Sequence, residues 1–404
     1  MKIRSITAFD RLDPNNPQEN INKLAGAIQA TKKMVVQAGY EVQSTRLASQ
    51  PFTELCQHLQ PDEILPMAQS IEASALQAEF GFISLGPIRV GDAKAMEQVA
   101  SVLGETAASF LSVHLVDTNG VFEPAHFAAC AEIIRKVSRL EKNGFANLKL
   151  AALANVSGGS PFFPAAYHDG NKPAFAFAPQ AADLAVQAFE SATNIEEGQQ
   201  KLSSSIEEHS AVLEDIGARI EGKYGIRFLG IDFSMAPYPD ERESLGRAIE
   251  LMGVPKVGWQ GSLTAAAVLT SAIQAADFKR TGFNGLLLPP LEDAVLAKRA
   301  DEGVLSVRDL LLMSAVCGTG LDTIPLAGDI SKEALAAILM DLAALAYRLD
   351  KALTARLMPI PGKQAGEKTD FEFEYFANSN VMASDSKGIG GQMSSGDSFK
   401  ILKR

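Results

Sequence analysis

Apolar positions recur along the chain with two periods. Short runs rich in β-branched and apolar residues at 2–8, 41–47, 80–86, 110–115, 148–155, 227–234, 285–288 and 356–359 predict strands. Between them the spacing changes to three and four. Over 332–349, Leu335, Ile338, Leu339, Leu342, Leu345 and Leu349 fall on one helical face, with Ser331 ahead of them as N-cap. The segment 205–222 carries Ile206, Leu213, Ile216 and Ile220 in the same way and closes on Gly222, while 243–252 stops at Gly253 and Pro255. Strands alternating with amphipathic helices predict α/β construction with parallel pairing. No fixed repeat and no Gly/Ser- or Pro-rich linker divides the chain, so a single domain is expected over 1–382. Beyond it, Ser, Gly and Asp displace apolar residues, and 383–404 is expected to be a flexible tail or lid.

Composition narrows the setting. The 404 residues are 47% hydrophobic and 21% charged, with a formal net charge of −11, enough chain to bury a core without covalent staples. An acidic balance without a Lys/Arg cluster opposes binding to nucleic acid or to an anionic membrane. Three dispersed cysteines, Cys56, Cys130 and Cys317, form no disulfide framework and no metal-ligand spacing, which predicts a reducing, cytoplasmic location. No apolar run approaches the roughly 18 residues of a membrane span. A homo-oligomer, most simply a dimer, is the expected assembly.

Candidate chemistry concentrates in a few segments. The stretch 317–329, from Cys317 through Gly318, Gly320, Asp322 and Pro325 to Asp329, reads as a long apolar connection that should be buried rather than solvated. Within it Cys317 is either a nucleophile or a small buried hydrophobe, and Asp322 either an acid/base group or a structural carboxylate. Gly318 and Gly320 would let a ligand approach the backbone. Arg356, on an apolar strand, needs a carboxylate partner (Asp322 or Asp329) or an anionic substrate. A second loop, 155–168, starts at Asn155, mixes glycines with aromatic residues and ends in Tyr167 and His168, a pair suited to acid/base work. The turn 258–262, with Gln260 and Ser262, opens the predicted helix 263–275 and is either an anion-binding helix start or an ordinary cap. Glu292 and Asp293 follow the strand at 285–288, and Asp232 and Glu105 are read as strand-end groups. No spacing fits zinc and no glycine motif fits a nucleotide. Asp232 and Glu292 have the donor type for a hard cation, Mg²⁺ or Ca²⁺.

The motif Cys317-Gly-Thr-Gly-Leu-Asp-Thr-Ile-Pro-Leu-Ala-Gly-Asp329 resembles the signature of domain-of-unknown-function family 711, also catalogued as uncharacterised protein family 0210. Matching pieces are the segment 230–239 with Ser244, the segments 285–293 and 354–363, Glu105-Thr106, and Asn155 with Pro161, Phe162 and His168. The turn at 258–262 departs from the family pattern, as does Ala327, where relatives often have proline. The resemblance implies a pyruvate-formate-lyase-like fold: a ten-stranded α/β barrel with a hairpin loop threaded inside, 317–329 being the candidate loop. It does not imply glycyl-radical chemistry, because 387–392 reads Lys-Gly-Ile-Gly-Gly-Gln without the Arg-Val-x-Gly motif.

Together these readings predict an enzyme performing acid/base chemistry on a small anionic metabolite, a carboxylate or a phosphate. Asp322, His168, Cys317 and Glu105 are the candidate catalytic residues. Arg356, Asn155, Ser262, Gln260, Gly318 and Gly320 are the candidate binding residues. A metabolite sensor using the same pocket, or a structural homo-oligomer, are the competing classes.

Overall fold

The first segment, Lys-Ile-Arg-Ser-Ile-Thr-Ala-Phe, places β-branched and aromatic residues at four of its eight positions, a composition that favours extended backbone. In a computed structural model, which describes residues 1–385 and 387–403, this segment is β1 (Lys2–Phe9). It is followed by β2 (Thr45–Ala48), β3 (Phe82–Ile88), β4 (Ser109–His114), the short β5 (Val121–Phe122) and β6 (Leu150–Ala154). Then come β7 (Ala174–Gln180), β8 (Arg227–Ile231), β9 (Gly320–Ala327), β10 (Leu353–Ile360) and the short β11 (Phe399–Lys400).

Nine of these form one mixed sheet in the order β8-β7-β1-β2-β3-β4-β6-β10-β9. The strands β1, β2, β3, β4 and β6 run parallel, as do β7 with β8 and β9 with β10. The groups meet antiparallel at β1–β7 and at β6–β10. A further segment, 279–287, bonds to β8 and the residues that follow it, and to the residues just before β9. On one side, Ile231 N–H donates to Lys279 O at 2.8 Å and Met235 N–H to Gly285 O at 3.0 Å. On the other, Leu286 N–H donates to Cys317 O at 3.4 Å and Thr319 Oγ1 donates to Leu286 O. Gly230 and Gly285 make these approaches possible, since a Cβ on either would strike the carbonyl of Lys279 or Cys317.

The two faces of the sheet meet different partners. Ile3, Ile6 and Ala8 of β1, Leu47 of β2, Ile83 and Leu85 of β3 and Phe175 and Phe177 of β7 belong to the main core shared with the helices. Phe9, Ala48, Phe110, Ala174 and Ala176 pack instead on Phe163 and Ala166. Ala151 and Leu153 of β6 pack on Val156, Phe162 and Ala165. Small side chains on this second face leave room for the loop 155–168. Ser84 Oγ donates to Ala166 O at 2.6 Å, and His168 N–H donates to Ser49 O at 2.8 Å. Gly159 N–H donates to Tyr167 O at 2.8 Å, folding the loop back on itself.

Two expectations are corrected. The segment 317–329 is not a connection: Cys317 ends the helix Val307–Cys317, Gly318 caps it in the left-handed conformation, and 320–327 is the strand β9. Its apolar character reflects a strand buried on both faces, and the loop lying against the second face of the sheet is 155–168. The strand β7 lies outside the eight strands predicted, because its positions on that face are alanines and carry little β signal. Most other predicted elements are present, including the helices Lys332–Arg348 and Ser262–Ala275, while the predicted 205–222 is the middle of a longer helix, Ile195–Tyr224.

Several residues of the segment expected as a flexible tail or lid contact the body. Phe399 stacks on Phe122 with ring centroids 5.3 Å apart, Arg308 pairs with Asp385 at 2.8 Å, and Lys403 with Asp350 at 2.6 Å. Ser386 and Arg404, which fall within it, lie outside the described residues.

Two glycine replacements should act in opposite directions. Gly285→Ala is expected to destabilise by about 1–3 kcal/mol through steric overpacking. Gly222→Ala, in open space on a helix, should stabilise by about 0.5–1 kcal/mol. Urea unfolding midpoints measure both.

Candidate functional site

Arg356 lies in the middle of β10, where every residue is buried. Its side chain is only 4% exposed, so its charge must be matched locally. Nε donates to Asp322 Oδ1 at 2.6 Å, Nη2 to Glu292 Oε1 at 3.1 Å and Nη1 to Leu148 O at 3.3 Å. Burial would lower the pKa of the guanidinium, but the two carboxylates together outweigh it and hold the group above its ordinary value.

A bulge brings Asp322 there. Ala355 pairs with Leu321 and Leu357 with Ile324, so Asp322 and Thr323 of β9 together oppose the single Arg356 of β10. Such a bulge bends the strand and re-aims its side chains. Thr323 takes φ +42°, a left-handed conformation rare for a β-branched residue. Asp322 Oδ2 and Thr323 Oγ1 are buried without a hydrogen-bond partner among the described residues.

Glu292 extends the network, its Oε2 accepting from Arg4 Nη2 at 2.9 Å. Its neighbour Asp293 is engaged elsewhere. That carboxylate accepts from Ser244 Oγ and from the backbone N–H groups of Leu245, Gly246, Val295 and Leu296, fastening the starts of two helices.

Arg4 and a third arginine, Arg46 of β2, line a cavity with Pro161, Phe162 and Phe163 from the loop and with Ser234. The guanidinium of Arg46 lies over the rings of Phe82 and Phe163, at 5.7 and 5.1 Å, and that of Arg356 over Phe162 at 5.8 Å. Arg46 Nε donates to Ser44 Oγ at 2.9 Å, and Arg46 has no ion-pair partner among the described residues. Burial, with the charges of Arg4 and Arg356 adding to it, pushes its pKa down to about 9, and the group stays charged at neutral pH. A cation without an ion-pair partner among the described residues thus lines the cavity at the tip of the loop, an arrangement suited to taking up an anion.

Of the residues singled out in the sequence, the structure brings together Asp322, Glu292 and Arg356, and joins Arg356 to Asp322 rather than Asp329. Asp232 lines the same cavity, but its carboxylate already accepts from Ser234 N–H and Oγ and from Phe283 and Asn284 N–H. Glu292 is likewise held, by two arginines. Among the described residues no group of three or more His, Cys, Asp or Glu is placed to hold a metal ion.

The remaining candidates lie apart from this cluster. Cys317 is buried at a helix end, and burial raises its thiol pKa, disfavouring the thiolate. His168 is buried at the foot of the loop, where burial lowers its pKa against the nearby Asp10, and its Nε2 has no partner among the described residues. Asn155, at the loop's start, donates to Asp350 and accepts from Lys403. Glu105 is exposed at the end of the helix Ala93–Gly104. Gln260 is exposed, and Ser262 Oγ accepts from Gly258 N–H as part of its own turn. Gly318 caps a helix and Gly320 lets β9 approach Thr354. Arg4 and Arg46 escape the sequence reading, although the reasoning that selects Arg356, a lone arginine on an apolar strand, applies to both.

The loop's foot also titrates. The imidazole of His114, packed edge-on against Tyr167 at 5.8 Å, is pushed down to about 4 by burial.

Comparison with known sequences places this geometry in context. A family model described as uncharacterised ACR (DUF711) matches residues 1–379. A UPF0210 protein of Pyrobaculum arsenaticum is 28% identical over 359 residues, covering 84% of this chain and 78% of its own length. One from Syntrophobacter fumaroxidans is 28% identical over 379 residues, covering 88% and 82%. Another, from Methanosarcina acetivorans, is 26% identical over 400 residues, covering 92% and 86%.

Removing one member of the buried network should be costly. Arg356→Met strands the Asp322 carboxylate and leaves Glu292 to Arg4 alone, and is expected to lose about 3–5 kcal/mol in denaturant unfolding. A second expectation concerns pH. With a folded pKa of about 4 against 6.5 for the ordinary imidazole, the unfolded chain binds the extra proton between these values. Stability is therefore full above pH 6.5 and falls as pH drops towards 4, by about 1–3 kcal/mol. His114→Phe should lack that component in unfolding curves recorded across the interval.

Proposed function

The chain belongs to the DUF711 family, and we propose that it is an enzyme acting by acid/base chemistry on a small anionic metabolite bound at the tip of the loop 155–168. The observation that carries this reading is the unpaired Arg46 beside a cavity: Arg4 and Arg356 are paired with Glu292 and Asp322, whereas Arg46 lacks a carboxylate partner among the described residues. In this reading Arg46 and Arg4 hold the anionic group. Asp322 accepts the proton, since its Oδ2 is not engaged by Arg356. Arg356 is a positioning residue, fixing both carboxylates.

We read the architecture as the ten-stranded barrel of the pyruvate-formate-lyase type. The tenth strand is 285–288, and 155–168 is the interior hairpin. Support comes from the parallel groups joined antiparallel and from the hydrogen bonds of 279–287 to β8 and to the residues just before β9. Packing of the loop on inner residues of several strands adds to it. Binding at the end of an interior loop, shielded from water, favours catalysis over a simple structural role.

The test is turnover of a panel of small organic acids and phosphate esters. The wild type should convert at least one compound, and Asp322→Asn should lose conversion while still binding it. Binding by the wild type without conversion of any compound would favour the sensor.

A further inference from the structure

We propose that the anion taken up beside Arg46 is a monocarboxylate of two or three carbons rather than a phosphate; the inference rests on the reading that this cavity is the binding site. Three observations select it.

The first is charge. Arg4, Arg46 and Arg356 face Glu292 and Asp322, and Asp232, with four donors of its own, lines the same cavity, so three cations meet three carboxylates. A carboxylate brings one further negative charge into this space and a doubly charged phosphate brings two, the costlier addition where water is scarce.

The second is donor geometry. Nε of Arg46 is engaged by Ser44, and its two Nη groups have no protein acceptor among the described residues. Arg4 Nη1 is buried without a partner on the same cavity. The planar Nη pair matches the two coplanar oxygens of a carboxylate, and the orphaned Arg4 donor adds a third bond. With Phe82 and Phe163 against the guanidinium, its faces are shielded and its edge is left for the ligand.

The third is size and lining. The cavity holds about one water, so it admits only a ligand of a few heavy atoms. Beyond the arginines the walls are largely apolar, with Pro161, Phe162, Ala178, Pro179, Ala236 and Leu287. They suit an alkyl stub and offer little to the outer oxygens of a phosphate.

The experiment is calorimetric titration and thermal unfolding of the full chain with sodium acetate, sodium propionate and sodium phosphate, at ionic strength matched with sodium chloride. Acetate or propionate at about 10 mM should raise the unfolding temperature of the wild type measurably above the chloride control. Phosphate should not. Arg46→Met should weaken carboxylate binding at least tenfold. Ala178→Val narrows the cavity without altering charge, and it should weaken propionate more than acetate. Tighter binding of phosphate than of either carboxylate, lost in Arg46→Met, overturns the carboxylate assignment while the site survives. If the wild type binds no anion, or Arg46→Met binds as the wild type does, the site reading falls and this inference with it. Should Arg46→Met fail to fold, equal affinities of Ala178→Val and wild type for propionate would overturn the proposal.

Discussion

A guanidinium shut away from water must find its counter-charges within a few ångströms, and Arg356 finds them on two separate segments. Asp322 comes from β9, bulged so that two of its residues face one of β10. Glu292 comes from the turn after 285–288, and through Arg4 it reaches back to β1. Arg4 and Glu292 are 288 residues apart along the chain. The network therefore acts as a fastener between strands that are remote in sequence. The left-handed Thr323 is the local strain that accompanies it, of order 1–3 kcal/mol, and the buried ion pair offsets that strain.

The arrangement of the two sheet faces follows from side-chain size. Branched and aromatic residues on one face build the layer against the helices. Alanines on the other leave a hollow that the loop fills with its own phenylalanines. Because the loop returns on itself through Gly159 and Tyr167 and is tied at Ser49 and Ser84, its tip is held rather than free. Phe162 and Phe163 then serve twice, as core residues and as aromatic surfaces for Arg356 and Arg46. A site supported in this way is preorganised without needing a lid.

Much of the frame is legible in the sequence. Apolar runs and three-four spacing locate β1, β4, β6, β8, β10 and the helix Lys332–Arg348, because those elements bury strongly apolar positions. The family signature is legible too. The segment 317–329 misleads for a physical reason: a strand covered on both faces shows no alternation, and its glycines and proline mimic a turn. Arg356 is legible as a buried charge and Asp322 as one of its two named partners. Arg4 and Arg46 are hidden because each sits near a strand end, where an arginine reads as solvent-facing; only the three-dimensional convergence of β1, β2 and β10 makes them one group.

The face of β7 that meets the loop 155–168 and the cavity is made of methyl groups: Ala174, Ala176 and Ala178 follow one another along it. Such a wall is readily remodelled. Each exchange of an alanine for valine moves it inward by about the size of a methyl group while the backbone, the fastener and the charged residues stay as they are. Proteins sharing this backbone could thus diverge in the molecule they accept through the residues that look least informative, and selectivity would be written in alanines rather than in arginines.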